Sequence, residues 1–239
     1  MASLLDRYGI KEVADVTFYE IGTDGTPTTP VLYLDTLKVS TVEETASQTS
    51  ARGGKGNPEL IIWDYGREIT VTLEDALFSA KSMAMMFNQQ GTVSTAAATI
   101  RRAVQISTLN STQTSATING KTFAVTKATM YTSNGATTTT TASAAWADIT
   151  YSASSPMTIS INAEQFPGTY YIVGDTYARS EITGKDEFFQ FIVPKAKVNA
   201  GQTITMQAEG DPSTFSMTIK VLRPANGEMM KLVKYDIAT

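Results

Sequence analysis

The chain has 239 residues, of which 18% are charged, and its formal net charge is −4. It contains no His and no Cys, which excludes Ser-His-Asp and Cys-His triads, His-liganded metals, thiolate nucleophiles and disulfides. The acidic balance argues against a general nucleic-acid binder, because such a protein needs a basic face to displace counterions. We therefore predict a protein that is not an enzyme and needs no cofactor and no metal.

Strand patterns begin near the N-terminus. Met1 to Ile10 places Asp6 and Arg7 where a signal peptide would need an apolar run, and no stretch approaches the roughly 20 apolar residues of a membrane span. We expect synthesis in the cytoplasm and no membrane span. The segments 13–21 and 31–40 are β-rich and flank a turn that contains Gly and Pro.

A long polar stretch follows, from Thr41 to Pro58, and it predicts a loop. Its Arg-Gly-Gly-Lys-Gly run does not match the P-loop pattern, and no strand leads directly into a helix here. We expect the loop to reach a neighbouring subunit, although plain flexibility and a different phosphate-binding loop remain alternatives. Its candidate contact residues are Arg52, Gly53, Gly54, Lys55 and Asn57, with Glu43 and Glu44 as charge partners across the interface.

Two later segments alternate between apolar and polar residues. After Leu60–Tyr65, which reads as a buried strand, the segment 67–74 turns Ile69, Val71 and Leu73 to one side. The segment 202–209 has the same pattern. The polar face of the segment 67–74 carries Glu68, Thr70, Thr72 and Glu74, and that of the segment 202–209 carries Thr203, Thr205, Gln207 and Glu209. Carboxylate pairs such as Asp186 with Glu187 could do acid-base work, but a solvated acidic face explains them better.

One helix is predicted, over residues 75–88. Acidic side chains at its start favour the helix dipole, and Leu77, Ala80, Ala84 and Phe87 follow at helical spacing. Gly91 can end it. The methionines at 83, 85 and 86 are more typical of a gap-filling core or an interface than of a ligand site.

The composition then shifts toward Thr, Ser, Ala and Asn over residues 92–163. Asn119-Gly120 between two strand-like segments predicts a hairpin. We interpret this region as an insertion on the outside of the main domain, with a flexible loop as the alternative. The chain then divides into an N-terminal part, 1–91, the insertion, and a C-terminal part, 164–239, whose strands include the segments 215–222 and 231–237.

Two regions carry a resemblance to a known family. The stretch EETASQTSARGGKGNPELIIWDYGREITVTLEDALFS (43–79) resembles tail tube proteins of myophages that infect Gram-positive bacteria. The stretch from Gly184 to Leu232, with GKDEFFQFIVPKAKV and ITMQAEGDPSTFSMTIKVLRP, is similar to the C-terminal half of the same proteins. The resemblance covers the first and last thirds of the chain.

The resemblance implies an all-β fold, a β-sandwich or barrel with one short flanking α-helix. Its inner sheet would join neighbouring copies into a closed ring barrel, and hexameric rings would stack into a tube, braced by the loop 41–58. The two polar strand faces would line the lumen, through which DNA passes without specific binding. It further implies a place in the virion tail after synthesis in the host cytoplasm, with a tail sheath outside and a tape-measure protein inside.

Two other classes of protein stay open. A capsid-decoration or baseplate protein would also be rich in Thr and in strands, but it would bind a preformed lattice. A carbohydrate-binding surface module would show exposed aromatic side chains on one face, for which Tyr170, Tyr171 and Trp146 are the hints.

Overall fold

A computed structural model describes residues 7–88, 91–201 and 214–235. The chain forms two compact units, one from residues 1–92 and 160–239 and the other from residues 93–159. Within the described residues there are fifteen strands and one α-helix. The predicted all-β class is confirmed. The second unit falls within the segment that the composition predicts to be an insertion.

Nine strands build the first unit. They are β1 (Tyr8–Ile10), β2 (Asp15–Ile21), β3 (Pro27–Leu34), β4 (Leu37–Arg52), β5 (Glu59–Asp75), β12 (Thr169–Ser180), β13 (Asp186–Val198), β14 (Phe215–Val221) and β15 (Lys231–Tyr235). Their order in the sheet is β3-β2-β12-β13-β14-β5-β4, with β1 paired to β12 and β15 paired to β13. Each pairing is antiparallel.

The sheet wraps around one apolar core. Side chains from strands near both ends of the path, such as Phe18 on β2 and Val71 on β5, belong to the same buried cluster as Val193. Phe18 follows Thr17, and Val71 lies between Thr70 and Thr72, which is the period-2 pattern of a strand with one buried face. In the described residues β3 and β4 occupy the two ends of the path, so this part of the chain does not close a barrel by itself. A barrel closed between neighbouring copies stays a prediction.

The helix is shorter than predicted. Glu74 and Asp75 belong to β5, and the helix α1 spans Ala80–Phe87. Buried Asp75 instead accepts hydrogen bonds from the Thr36 hydroxyl at 2.5 Å and from the Leu77 N–H at 3.1 Å, which holds the chain in a turn. Ser79 and Ser82 then form a capping box at the start of α1.

Two methionines of α1 fill the core. Met85 and Met86 are buried in the cluster that the sheet encloses, which confirms the gap-filling role predicted for them, whereas Met83 is half-buried. Ala84 is buried as well, whereas Leu77 precedes the helix and is exposed. The prediction that the helix includes Leu77 is wrong, because a turn separates the end of β5 from the start of α1.

The second unit is a folded domain with its own core. Its strands are β6 (Ala98–Gln105), β7 (Ser115–Ile118), β8 (Lys121–Ala124), β9 (Lys127–Tyr131), β10 (Thr137–Thr138) and β11 (Trp146–Ala153). They form a sheet of order β10-β9-β11-β6 and a β7–β8 hairpin. Ile149 and Ala147 lie at the centre of the core. The hairpin predicted at Asn119-Gly120 is confirmed, and both residues have positive φ.

Candidate assembly surfaces

The stretch 41–58 is not a long loop. Residues 41–52 continue β4 and pair with β5 as far as Arg52 opposite Glu59, so only Gly53 to Pro58 form the connection. We call the outer part of this hairpin, residues 45–66, the arm. The predicted contact residues Gly53, Gly54, Lys55 and Asn57 lie at its tip. Two backbone hydrogen bonds close the tip, Gly53 N–H to Pro58 O at 3.2 Å and Asn57 N–H to Gly54 O at 3.1 Å.

The arm displays apolar side chains on both of its faces. Leu60, Ile61, Ile62, Trp63 and Tyr65 are between 52% and 63% exposed. The prediction of a buried strand over Leu60–Tyr65 is thus correct for the strand and wrong for its burial within one chain. A two-stranded hairpin is marginally stable alone, and contiguous exposed apolar residues mark an interaction surface.

A bulge at Gly66 separates the arm from the sheet. Between the pairs Thr45–Glu68 and Ser47–Tyr65, β5 contains one residue more than β4. Gly66 has φ +64°, a left-handed conformation that glycine adopts without strain. The extra residue reverses the alternation, because successive side chains point to opposite faces. Ile61, Trp63 and Tyr65 therefore continue the face of Glu68 and Thr70, not that of Ile69.

The polar, solvent-facing side predicted for β5 is present. Ile69, Val71 and Leu73 are buried on one side, and Glu68, Thr70, Thr72 and Glu74 lie on the other. The register places Glu43 of β4 opposite Thr70, so this face gains a third carboxylate. Lys220 of β14 lies opposite Thr70 on the other side, with its Nζ 3.7 Å from Glu68 Oε2. Three glutamates against one lysine leave the part of this face on β4, β5 and β14 acidic, and the register continues it on β13 with Lys197 opposite Lys220.

The second predicted face lies outside the described residues. Thr203, Thr205, Gln207 and Glu209 belong to the segment 202–213, so the geometry of the described chain does not place them beside Glu68 and Glu74. Their role in a lumen stays a prediction.

The predicted charge partners on the hairpin have partners within the chain. Glu44 Oε1 lies 2.9 Å from Arg67 Nε, and Arg52 forms an ion pair with Glu59. All four side chains are exposed, so these pairs contribute little to folding stability. The charges at the base and tip of the arm are consequently held in place at its surface.

An apolar cleft opens where the arm leaves the sheet, and no local sequence pattern predicts it. Its volume is about 460 Å³, and Ile69, Phe189, Phe191 and Leu232 are among its lining residues. These residues come from β5, β13 and β15, which are distant in sequence. Only the register of the folded sheet brings them together.

Carboxylate chemistry finds no support in the described geometry. Asp186 accepts two hydrogen bonds from Arg179, at 2.6 and 2.7 Å, and these bonds lower the pKa of Asp186. Its neighbour Glu187 forms an ion pair with Lys234. Residues 7–88, 91–201 and 214–235 contain no group of three or more side chains able to hold a metal ion. None of the helical segments described is both long enough and apolar enough to cross a membrane.

The aromatic residues that hinted at carbohydrate binding, Tyr170, Tyr171 and Trp146, each contact another ring of their own unit. Tyr170 is buried against Phe18, and burial raises its pKa to about 12. Trp146 stacks on Tyr131 across two strands of the second unit, with ring centroids 4.3 Å apart. Cross-strand aromatic pairs of this kind stabilise a sheet without any ligand.

The described part of the chain has an open sheet whose end strands each pair on one side, an acidic outer face and an exposed apolar arm. These features define a structural β-protein built for association. The chain belongs to the YomU/Tube protein family, which matches residues 8–234. This is a phage tail tube family, so the resemblance predicted from the sequence is confirmed and the protein is a tube-type structural protein of the virion tail. No curated protein matches the chain.

Proposed function

We propose that this protein is the tail tube subunit, and that hexameric rings of it stack into a tube around a lumen that conducts DNA. The observation that carries the proposal is the arm, whose five large apolar side chains have more than half of their surface exposed in the single chain. Water-exposed apolar surface of this extent is stabilised when a second subunit covers it. The family supplies the reason to expect that the second subunit is another copy.

The rings close through the end strands. Each of β3 and β4 has one pairing partner in the described chain, and a free strand edge is a template for pairing with another chain. Closing the sheets of neighbouring copies into one barrel removes every free edge. This proposal places the barrel between copies and so agrees with the open sheet of the single chain.

The outer face of β4, β5 and β14 lines the lumen in this proposal. Glu43, Glu68 and Glu74 give it negative charge, and Thr70 and Thr72 give it hydroxyls. Negative charge repels the phosphates of DNA, so DNA slides through the lumen without adhering. The function is therefore electrostatic and geometric, with no bond made or broken.

The composition of residues 92–163 supports a place for the second unit, residues 93–159, on the outside of the tube. The family resemblance supports the remaining partners, a tail sheath around the tube and a tape-measure protein in the lumen before ejection. The subunit is made in the host cytoplasm and enters the tail by assembly onto existing rings.

Negative-stain microscopy of the purified protein over a range of concentrations tests the proposal. We expect hollow filaments of uniform bore. The variant Trp63→Asp should abolish the filaments without changing the circular dichroism spectrum, because Trp63 is outside the core. Wild-type protein that stays dispersed at high concentration and binds only to a preformed capsid or baseplate lattice would contradict the tube.

A further inference from the structure

The two ends of β5 carry two different apolar patches. The arm presents Ile61, Trp63 and Tyr65 on one face at the start of the strand. Immediately after the strand ends at Asp75, Leu77 and Phe78 are 65% and 54% exposed. We call Leu77, Phe78 and Phe215 the far patch, since the rings of Phe78 and Phe215 lie 4.4 Å apart.

The far patch is held in shape by the turn beneath it. The carboxylate of Asp75 accepts the Leu77 N–H, and the Ala76 N–H donates to the Thr36 carbonyl at 3.2 Å. Ser79 then caps α1 directly after Phe78. The two exposed side chains are thus fixed between an anchored strand end and an anchored helix start, and docking would lose little conformational entropy there.

The arm of one copy cannot reach its own far patch. Trp63 lies 12 positions before the end of β5 at Asp75, which corresponds to roughly 40 Å of strand, and the turn that carries Phe78 follows that end. Two different patches at opposite ends of one element can meet only between copies. A contact of this heterologous kind repeats without closing and generates an open stack, which is what a tube requires.

The charges around the two patches are complementary. The tip of the arm carries Arg52 and Lys55 with Glu59, which leaves one positive charge in excess. The chain end that bears the far patch carries Asp35 and Glu74 against Lys38. A basic tip against an acidic surround favours one orientation of the contact and disfavours arm against arm.

We propose that the arm of each subunit docks on the far patch of a subunit in the next ring, with the Ile61–Trp63–Tyr65 face covering Leu77 and Phe78. The inference rests on the proposed tube and names the surface that receives the arm. It also sets the axial repeat. With strands tilted by about 35–45° as in β-barrels, a separation of roughly 40 Å along β5 projects to about 30 Å along the tube.

Disulfide trapping tests the contact, because the chain has no Cys of its own. An Ile61→Cys protein is mixed with a Leu77→Cys protein that carries an additional mass tag, and the mixture is oxidised during assembly. We expect the mixed-mass dimer as the main product. The matched control is Ile62→Cys with Leu77→Cys, since Ile62 points to the opposite face of the arm, and it should give several-fold less mixed dimer.

Complementation tests the same contact without new thiols. Trp63→Asp removes the arm surface and Phe78→Asp removes the far patch, so each variant alone should stop at single rings. In a mixture, the intact arm of the Phe78→Asp protein meets the intact far patch of the Trp63→Asp protein. We expect pairs of rings in the mixture, one ring of each variant, because the arm of the Trp63→Asp ring and the far patch of the Phe78→Asp ring stay defective. Separate rings there would overturn the inference.

The outcomes separate the two proposals. Tubes that form without the 61–77 cross-link, or that cross-link equally well from position 62, would contradict the far-patch contact but not the tube. Cross-links between copies that form no tubes would support the contact and contradict the tube. Protection of Leu77→Cys from a thiol reagent without any 61–77 cross-link would show that another segment covers the far patch, which also contradicts the inference.

Discussion

Phe191 packs so closely against Gly174 that a single methyl group at position 174 would overlap its ring. The two residues are direct partners in the pairing of β12 with β13. A Cβ at Gly174 would lie 2.0 Å from Phe191 Cε1, and both residues are buried. Since Phe191 also lines the cleft at the base of the arm, Gly174 fixes the position of one of its walls.

Gly174→Ala should therefore destabilise the first unit. The ring of Phe191 must move to admit the methyl group, and overpacking of this kind costs about 1–3 kcal/mol. Urea denaturation followed by circular dichroism measures the loss. Gly9→Ala is the matched control, because nothing lies within 4 Å of a Cβ there. Equal denaturation midpoints for the two variants would show that the Gly174–Phe191 contact is not tight.

Thr36→Val should also lower stability. The variant keeps the shape of Thr36 but removes the hydroxyl that donates to buried Asp75 at 2.5 Å. Loss of a hydrogen-bond donor to a buried carboxylate lowers the free energy of unfolding by about 1–3 kcal/mol. The change is measured by the same denaturation. Thr28→Val removes an exposed hydroxyl, which donates to the Glu20 carbonyl at 3.1 Å, and should change the free energy of unfolding by less than about 0.5 kcal/mol.

Ionisation of Tyr170 should lower the free energy of unfolding at high pH. Burial, with a smaller contribution from the charge of Glu20, raises its pKa from 10.0 to about 12 in the folded chain. Between these values the unfolded chain has lost the phenolic proton and the folded chain keeps it, so stability declines with pH by at most about 1.4 kcal/mol per unit. Thermal unfolding of wild-type protein and Tyr170→Phe from pH 9 to pH 12 measures the difference. Parallel curves for the two proteins would be the contrary result.

The second unit should be removable. Its two ends meet where Ser94 and Thr158 exchange two backbone hydrogen bonds, each 2.9 Å long. Replacing residues 95–157 by a short Gly-Ser linker therefore spans a small gap and leaves the core of the first unit intact. We expect the shortened protein to fold and to form tubes in the microscope. Failure of a soluble shortened protein to assemble would assign the second unit a role in ring or tube contacts.

The charge of the outer face should control DNA adhesion. Glu43→Lys with Glu74→Lys turns the face basic, whereas the double Gln variant at the same positions only removes charge. Retention of DNA by purified tubes at low salt should rise from wild type through the Gln pair to the Lys pair. High salt should erase the differences, because phosphate contacts weaken as salt increases. Equal retention by all three proteins would mean that this face does not meet the DNA.

Particular residues show how far the sequence alone could be read. The alternation of Ile69, Val71 and Leu73 identified the buried face of β5, and Asn119-Gly120 identified a hairpin, because both signals are local to the backbone. The helix start was misplaced for a reason that is not local. Asp75 bonds to Thr36, which is 39 residues away, instead of capping the helix.

The prediction differs most from the structure at the arm, for a physical reason. Residues 41–52 have no core to face, so they lack the alternation that reveals a strand, and their polar composition indicated a loop. The run Leu60–Tyr65 looked buried because an apolar sequence does not say whether its own chain covers it. The bulge at Gly66 then decided which of these side chains share a face with Glu68.

The sequence by itself determined the strand-rich class, the absence of His and Cys chemistry and the family, since each depends on composition or on neighbouring residues. Only the tertiary structure decided that β3 and β4 end the sheet, that Leu60–Tyr65 faces water, and that Leu77 and Phe78 lie at the opposite end of the same strand. Those facts depend on which distant segments pair, and a surface left uncovered by one chain becomes visible only after every pairing within that chain is known.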